Sequence, residues 1–109
     1  MKISITSPFP VYSLQGNSVS GRRITGLLAD AGYDVRLYHD EYSEDTDLLI
    51  VLNAGRSADV AAKFSTESGQ KKKIVVVMTG SDLFPFDGVL KPETLRSIEI
   101  ADAVVMFPG

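Results

Sequence analysis

Leu48-Leu49-Ile50-Val51-Leu52 and Ile74-Val75-Val76-Val77-Met78 are the two stretches that decide the fold. Both are apolar without alternation, which is typical of strands in a parallel sheet whose two faces are covered by helices. Residues 3–6, 35–38 and 103–107 form three more short runs that are rich in Val, Ile or Leu. The sequence therefore predicts a parallel sheet of five strands.

Helical periodicity occurs after the first, third and fourth of these strands. A first helix is predicted with Asn17 or Ser18 as its N-cap and Gly32 as its stop, because apolar residues recur at helical spacing: Ile24, Leu27, Leu28 and Ala31. A second helix is predicted over about residues 57–68. A third opens at Pro92 and is predicted to bury Leu95, Ile98 and Ala101.

The alternation of strands and helices predicts an α/β domain of three layers. Right-handed crossovers then favour a doubly wound, Rossmann-like or flavodoxin-like parallel sheet, and the expected strand order is 3-2-1-4-5. Ligands bind such sheets beyond the carboxyl ends of the strands, where the strand order reverses. This order directs the search for a site to the loops after strands one and four.

Composition and charge exclude several classes of function. The 109 residues fit one domain, and the net charge of -3 gives no general attraction to nucleic acid or to an anionic membrane. No Cys is present to supply a thiolate or a catalytic thiol, and the single His39 does not indicate a metal site. No stretch resembles a signal peptide or a membrane span. We expect a cytoplasmic protein that uses no metal and no cofactor.

The connection after the first strand has the features of an anion site. Gly16, Asn17 and Ser18 lead into the first helix, and Arg22 and Arg23 follow. Free N–H groups and guanidinium groups at a helix N-terminus favour a phosphate. The alternative is a glycine turn, an ordinary cap and exposed arginines. A P-loop requires Lys and then Ser or Thr where the two arginines stand, which disfavours a nucleoside triphosphatase.

Two later loops carry further candidates. Arg56 and Ser57 follow the third strand and repeat the anion-binding chemistry, although a plain Ser cap with a solvated arginine explains them almost as well. Thr79, Gly80, Ser81 and Asp82 follow the fourth strand. Asp82 is the best-placed general base, and its structural alternative is a carboxylate that stabilises its own turn.

Three segments together resemble a known family. The proline-bearing start Ile5-Thr6-Ser7-Pro8-Phe9-Pro10, the turn Gly16-Asn17-Ser18-Val19 and the helix end over residues 28–35 look like the beginning of retaining, group-1 GT-B glycosyltransferases. More narrowly, that same turn together with residues 54–59 and 79–83 resembles the selenosugar synthase branch. The resemblance covers nearly the whole chain. It departs from the family pattern at Tyr33, where a His is usual, and at Asn53 and Gly55, where His and Arg are expected.

The resemblance implies that residues 1–109 are the N-terminal, acceptor-side half of a GT-B enzyme. The donor would be a nucleotide sugar, UDP-N-acetylhexosamine in this branch, bound by a C-terminal half that is absent. The acceptor would be a small anion such as selenophosphate, held by Arg22, Arg56 and the Gly16 turn. The half alone is expected to be inactive.

Two alternatives to that assignment remain open. One is a stand-alone Rossmann-like or flavodoxin-like module that binds an anion, or a partner protein, without catalysis. The other concerns assembly rather than chemistry, because the chain stops directly after its last strand, where a doubly wound fold normally adds a helix. An exposed apolar surface around residues 104–107 would then favour a homodimer.

Overall fold

A computed structural model describes residues 1–14, 16–68, 72–78 and 92–106. Strands and helices alternate along these residues except between the second and third strands, which no helix separates. In chain order the elements are β1 (Lys2–Ser7), α1 (Gly16–Asp30), β2 (Asp34–His39), β3 (Leu48–Leu52), α2 (Ala58–Glu67), β4 (Lys73–Met78), α3 (Pro92–Ile100) and β5 (Ala103–Met106).

The five strands form one sheet in the order β2-β1-β3-β4-β5, and every neighbouring pair is parallel. The register places Thr6 of β1 between Tyr38 of β2 and Val51 of β3. Helices cover both faces, α1 on one and α2 with α3 on the other. The predicted α/β class and the Rossmann-like parallel sheet are confirmed.

The predicted strand order 3-2-1-4-5 is wrong, because β3 pairs with β1 and not with the outer edge of β2. The reason lies in how the two strands are composed. In β2, Asp34 and Arg36 are exposed on one face, while Val35 and Leu37 pack under α1 on the other. A strand with one polar face fits the sheet edge, whereas the apolar Leu48–Leu52 needs cover on both faces and takes the interior place.

Residues 40–47 carry the chain from β2 to β3 without a helix and cross β1 on the face of α2. A closed chain of hydrogen bonds fastens this crossing segment. Thr46 Oγ1 donates to the Ser43 carbonyl oxygen at 2.5 Å, so Ser4 Oγ must donate to Thr46 Oγ1 at 2.6 Å. Ser43 N donates to Ser4 Oγ at 3.3 Å. The buried hydroxyls of Ser4 and Thr46 therefore attach this connection to the sheet, whereas the other connections are attached by a packed helix.

Each face of the sheet has its own apolar core. On the α1 face the buried members are Ile3, Ile5, Ile50, Leu52 and Val77. On the other face, α2 and α3 help to enclose Leu49, Val51, Ala54, Ala61, Phe64, Ile74, Val76 and Met78.

Helix α1 packs closely against two leucine side chains of the sheet at Gly21. A Cβ at this position would lie 2.8 Å from Leu37 Cδ1 and 3.0 Å from Leu52 Cδ1.

The predicted stop at Gly32 is confirmed, since Gly32 has φ 96° and Tyr33 N donates to the Leu28 carbonyl oxygen at 3.1 Å.

The start of α1 differs from the prediction. Because the helix begins at Gly16, Asn17 and Ser18 lie inside its first turn and neither is the N-cap. The hydroxyl of Ser18 bonds the preceding loop instead, where it donates to the Pro10 carbonyl oxygen at 2.8 Å.

Helix α3 buries polar residues where an apolar one was predicted. Leu95 is 46% exposed, whereas Thr94 and Ser97 face the protein. Ser97 Oγ donates to the Ala54 carbonyl oxygen at 2.6 Å. This hydrogen bond docks α3 on the turn that follows β3, and it rotates Leu95 outward.

Strand β5 lies at the sheet edge and is partly open on both faces, because its consecutive residues Val104 and Val105 point to opposite faces. Val104 is 37% exposed and Val105 is 40% exposed.

In the part of the chain that the structure describes, no helix is long and apolar enough to cross a membrane.

Candidate anion-binding crevice

The strand order locates the crevice. From β1 the chain enters α1 on one face of the sheet, and from β3, the neighbour of β1, it enters α2 on the opposite face. The carboxyl ends of β1 and β3 therefore flank the point at which the topology reverses, which is where open α/β sheets bind ligands. The predicted pair of loops, after strands one and four, is corrected to the loops after β1 and β3.

The turn from β3 to α2 carries Arg56 and is held by hydrogen bonds from side chains to backbone. Asn53 begins it in the left-handed region with φ 66°, and Asn53 Oδ1 accepts a hydrogen bond from Arg56 N at 3.1 Å. Ser57 occupies the N-cap position of α2, but its hydroxyl donates to the Leu52 carbonyl oxygen at 2.8 Å and makes no cap bond. Ser57 therefore fixes the turn and leaves the N–H groups of the α2 first turn without a side-chain cap from it.

Arg56 reaches from this turn to the loop after β1. Its guanidinium carbon lies 5.4 Å from the centre of the Phe9 ring, within the range of a cation–π contact. The Arg56 residue is exposed, and no carboxylate among residues 1–14, 16–68, 72–78 and 92–106 forms an ion pair with it. A positive charge that is oriented by an aromatic ring and not neutralised is suited to an anionic ligand.

The loop between β1 and α1 is tied to its own helix. Arg22 Nη1 donates to the carbonyl oxygens of Val11 at 2.7 Å and Ser13 at 2.9 Å, and Ser18 holds Pro10 one helical turn earlier. Arg22 is therefore engaged with backbone, while Arg56 is engaged only with the face of a ring among the contacts described.

Within residues 1–14, 16–68, 72–78 and 92–106, two buried polar side-chain atoms near this end of the sheet have no hydrogen-bond partner. One is Thr6 Oγ1, next to last in β1, and the other is Asn17 Oδ1, in the first turn of α1. Asn17 lies four residues before Gly21, so it shares the sheet-facing side of the helix one turn nearer to the crevice. Buried polar atoms without partners cost stability and are uncommon.

The structure brings most of the sequence-predicted residues to one edge of the sheet. Gly16, Asn17, Ser18 and Arg22 lie on the first two turns of α1, and Arg56 and Ser57 lie on the neighbouring turn. Phe9 was not predicted, because nothing in a single sequence pairs an aromatic ring with an arginine far along the chain. The remaining candidates lie outside the described residues: Thr79, Gly80, Ser81 and Asp82.

A second polar hollow, of about 130 Å³, opens on the exposed face of β2 and is lined by Lys2, Ile3, Asp34, Arg36, Tyr38 and Ser43. Its lysine is already paired, since Lys2 Nζ lies 2.7 Å from Asp45 Oδ2 and 3.9 Å from Asp34 Oδ2. The hydrogen bond from Lys2, and then one from Ser43, lowers the pKa of Asp45 from 3.8 to about 2. These carboxylates make the hollow a poorer anion site than the crevice.

No group of three or more His, Asp or Glu side chains that could hold a metal ion occurs in the described ranges. His39 Nε2, at the end of β2, lies 3.3 Å from Asp40 Oδ2.

Comparison of the sequence with protein-family models and with curated proteins finds no match.

Proposed function

We propose that this chain is the acceptor-side module of a nucleotide-sugar-dependent glycosyltransferase, and that the crevice between the ends of β1 and β3 binds its small anionic acceptor. The observation that carries the proposal is Arg56, an arginine with no ion-pair partner in the described structure, held over Phe9 where the sheet topology reverses. The glycosyl-transfer part rests on the resemblance of the three loop segments to GT-B enzymes.

The chemistry of the crevice supports a phosphate-like ligand. The N-terminus of α1 directs backbone N–H groups and the positive end of the helix dipole toward the same edge as Arg56. An oxyanion such as phosphate or selenophosphate can accept hydrogen bonds from both sources at once. Gly16 adds no Cβ at the helix entrance and has no neighbour within 4 Å of that position, so a ligand could approach the backbone closely.

The proposal assigns the remaining roles by resemblance. The nucleotide sugar, a UDP-N-acetylhexosamine in the selenosugar branch, would bind a second domain. Asp82 would act as the base or orienting carboxylate on the acceptor side, with Thr79, Gly80 and Ser81 beside it. These four residues stay predictions.

A second candidate is a module that binds the same anion without catalysis. The observed order 2-1-3-4-5 favours it, because that is the order of flavodoxin-like domains, which use the β1/β3 switch point for a phosphate-bearing ligand. Both candidates use the same crevice and differ in whether a sugar is transferred.

Amide NMR titration tests the proposal. Phosphate and selenophosphate are expected to shift the amides of Gly16–Arg22 and of Arg56, whereas UDP-N-acetylhexosamine is expected to shift them weakly. If the UDP-sugar bound more tightly than either small anion, the acceptor-side assignment would be wrong. Anion binding without any transfer of sugar, when a donor domain of this enzyme type is added, would favour the non-catalytic module.

A further inference from the structure

Arg22 holds the β1–α1 loop by a two-pronged contact that the sequence did not suggest. A single guanidinium nitrogen, Nη1, donates to the carbonyl oxygens of Val11 and Ser13 at 2.7 and 2.9 Å. Ser18, one turn earlier on the same side of α1, donates to the Pro10 carbonyl oxygen at 2.8 Å. Three of the four carbonyls between positions 10 and 13 are thereby attached to one helix.

These tethers act directly beside Phe9. The ring belongs to the residue before Pro10, whose carbonyl Ser18 holds, and on the other side Phe9 N donates to Ser7 Oγ at 3.2 Å. The guanidinium carbon of Arg56 lies 5.4 Å from the centre of the Phe9 ring. The contacts therefore run in sequence from Arg22 and Ser18 through the loop to Phe9, and from Phe9 across the crevice to Arg56.

We propose that Arg22 is a positioning residue, which does not meet the anion but holds the loop in which Phe9 orients Arg56. The inference rests on the proposed function, because it concerns how that same crevice is prepared for its ligand. An exposed arginine has many rotamers, and binding must order it. A ring fixed beneath the guanidinium does part of that ordering before the ligand arrives.

The test uses three variants with one matched control. Arg22→Met keeps the length of the side chain and removes its donors, Arg22→Lys keeps the charge and donors, and Ser18→Ala removes the other tether. Arg23→Met is the control, because it removes the same charge from the next residue of α1, which is exposed. A general loss of positive charge would affect Arg22→Met and Arg23→Met alike.

The two readouts are the ring-current shift of the Arg56 side-chain protons over Phe9 and the affinity for inorganic phosphate, both by NMR. We expect Arg22→Met to abolish the ring-current shift and to weaken phosphate binding about two- to tenfold, the loss that corresponds to ordering one long side chain. Arg22→Lys should restore much of both, Ser18→Ala should reduce both in part, and Arg23→Met should leave the ring-current shift unchanged.

Each contrary outcome is distinct. If Arg22→Met weakened phosphate binding while the Arg56 protons kept their shift, Arg22 would contact the anion itself and the positioning role would be wrong. A lost shift with unchanged phosphate affinity would also overturn it. Should Arg22→Met fail to fold, Arg22→Lys and Ser18→Ala carry the same comparison. Failure of the unmodified protein to bind phosphate would remove the proposed function, whereas a ring-current shift that survives in all tether variants would remove the positioning role alone.

Discussion

The two ends of the sheet differ in whether their polar groups have hydrogen-bond or ion-pair partners. At the amino end, Ser4 and Thr46 complete a closed hydrogen-bond chain, and Lys2 is paired with Asp45. Toward the carboxyl end, and among the described residues, Thr6 Oγ1 and Asn17 Oδ1 are buried without a hydrogen-bond partner, and Arg56 has no ion pair. Buried polar groups with partners stabilise a fold, whereas buried groups without partners cost stability, and an exposed arginine without an ion pair is available to a ligand.

We infer from this difference that paired polar groups stabilise the amino end of the sheet, whereas the carboxyl end is the one suited to binding a ligand. Both threonines of the comparison, Thr6 and Thr46, are 0% exposed, so burial does not distinguish them. What distinguishes them is whether the hydroxyl has a partner. The first two predictions therefore use the same substitution at both positions.

Thr46→Val is expected to have the largest effect. It removes a hydroxyl that accepts from Ser4 and donates to the Ser43 carbonyl oxygen, and it leaves the buried Ser4 hydroxyl without this partner. We expect the free energy of unfolding to fall by about 1–3 kcal/mol. Urea denaturation followed by circular dichroism measures this. An unchanged midpoint would mean that the hydroxyl chain does not hold the crossing segment.

Thr6→Val is expected to have the opposite sign. Valine has nearly the same shape as threonine, and the hydroxyl that it replaces has no hydrogen-bond partner in the part of the chain that the structure describes. We therefore expect a gain of about 1 kcal/mol in the free energy of unfolding. The same denaturation experiment compares the two variants directly. If Thr6→Val destabilised the protein as much as Thr46→Val, the contrast between the two ends would be wrong at this pair.

The Lys2–Asp45 pair is expected to give the smallest effect, because both side chains are largely exposed. The pKa of Asp45 is lowered from 3.8 to about 2. A lowered carboxyl pKa stabilises the folded state at pH values above the unfolded pKa. That contribution is lost as the pH falls from the unfolded value through about 2.

Lys2→Gln should move the pKa of Asp45 back toward 3.8, because the hydrogen bond from Lys2 is the main cause of the shift. Titration of the Asp45 carboxyl carbon by NMR measures it. Lys63→Gln is the control, since it removes the same charge from α2, at a lysine that contacts Glu67 and the Tyr42 ring. An Asp45 pKa that did not change in Lys2→Gln would exclude the pair as the cause.

The sequence was sufficient for the elements and the fold class, because unbroken apolar runs and helical spacing are local signals. It was not sufficient for the strand order. The alternation of charged and apolar residues in Asp34-Val35-Arg36-Leu37 is typical of a strand with one polar face, and that signal favoured an edge position for β2. The absence of a helix between β2 and β3 was the second signal available.

The side-chain contacts could not be predicted from the sequence, because they join residues that lie far apart in the chain. The spacing of Leu95 predicts a core position, but the bond from Ser97 to the Ala54 carbonyl oxygen turns that face of α3 inward. Arg22 and Arg56 are likewise equivalent as residue types. Only the three-dimensional structure shows that one bonds backbone carbonyls and the other lies over Phe9.

The measurement that tests the central claim most directly is phosphate titration of Arg56→Gln beside Arg36→Gln. Both replace an exposed arginine by the same residue, one at the crevice and one at the hollow on β2. We predict that Arg56→Gln weakens phosphate binding about tenfold or more, the loss expected for a charge-assisted contact, while Arg36→Gln stays within about twofold of the unmodified protein. Equal weakening in both variants, or a larger loss in Arg36→Gln, would contradict the crevice as the anion site.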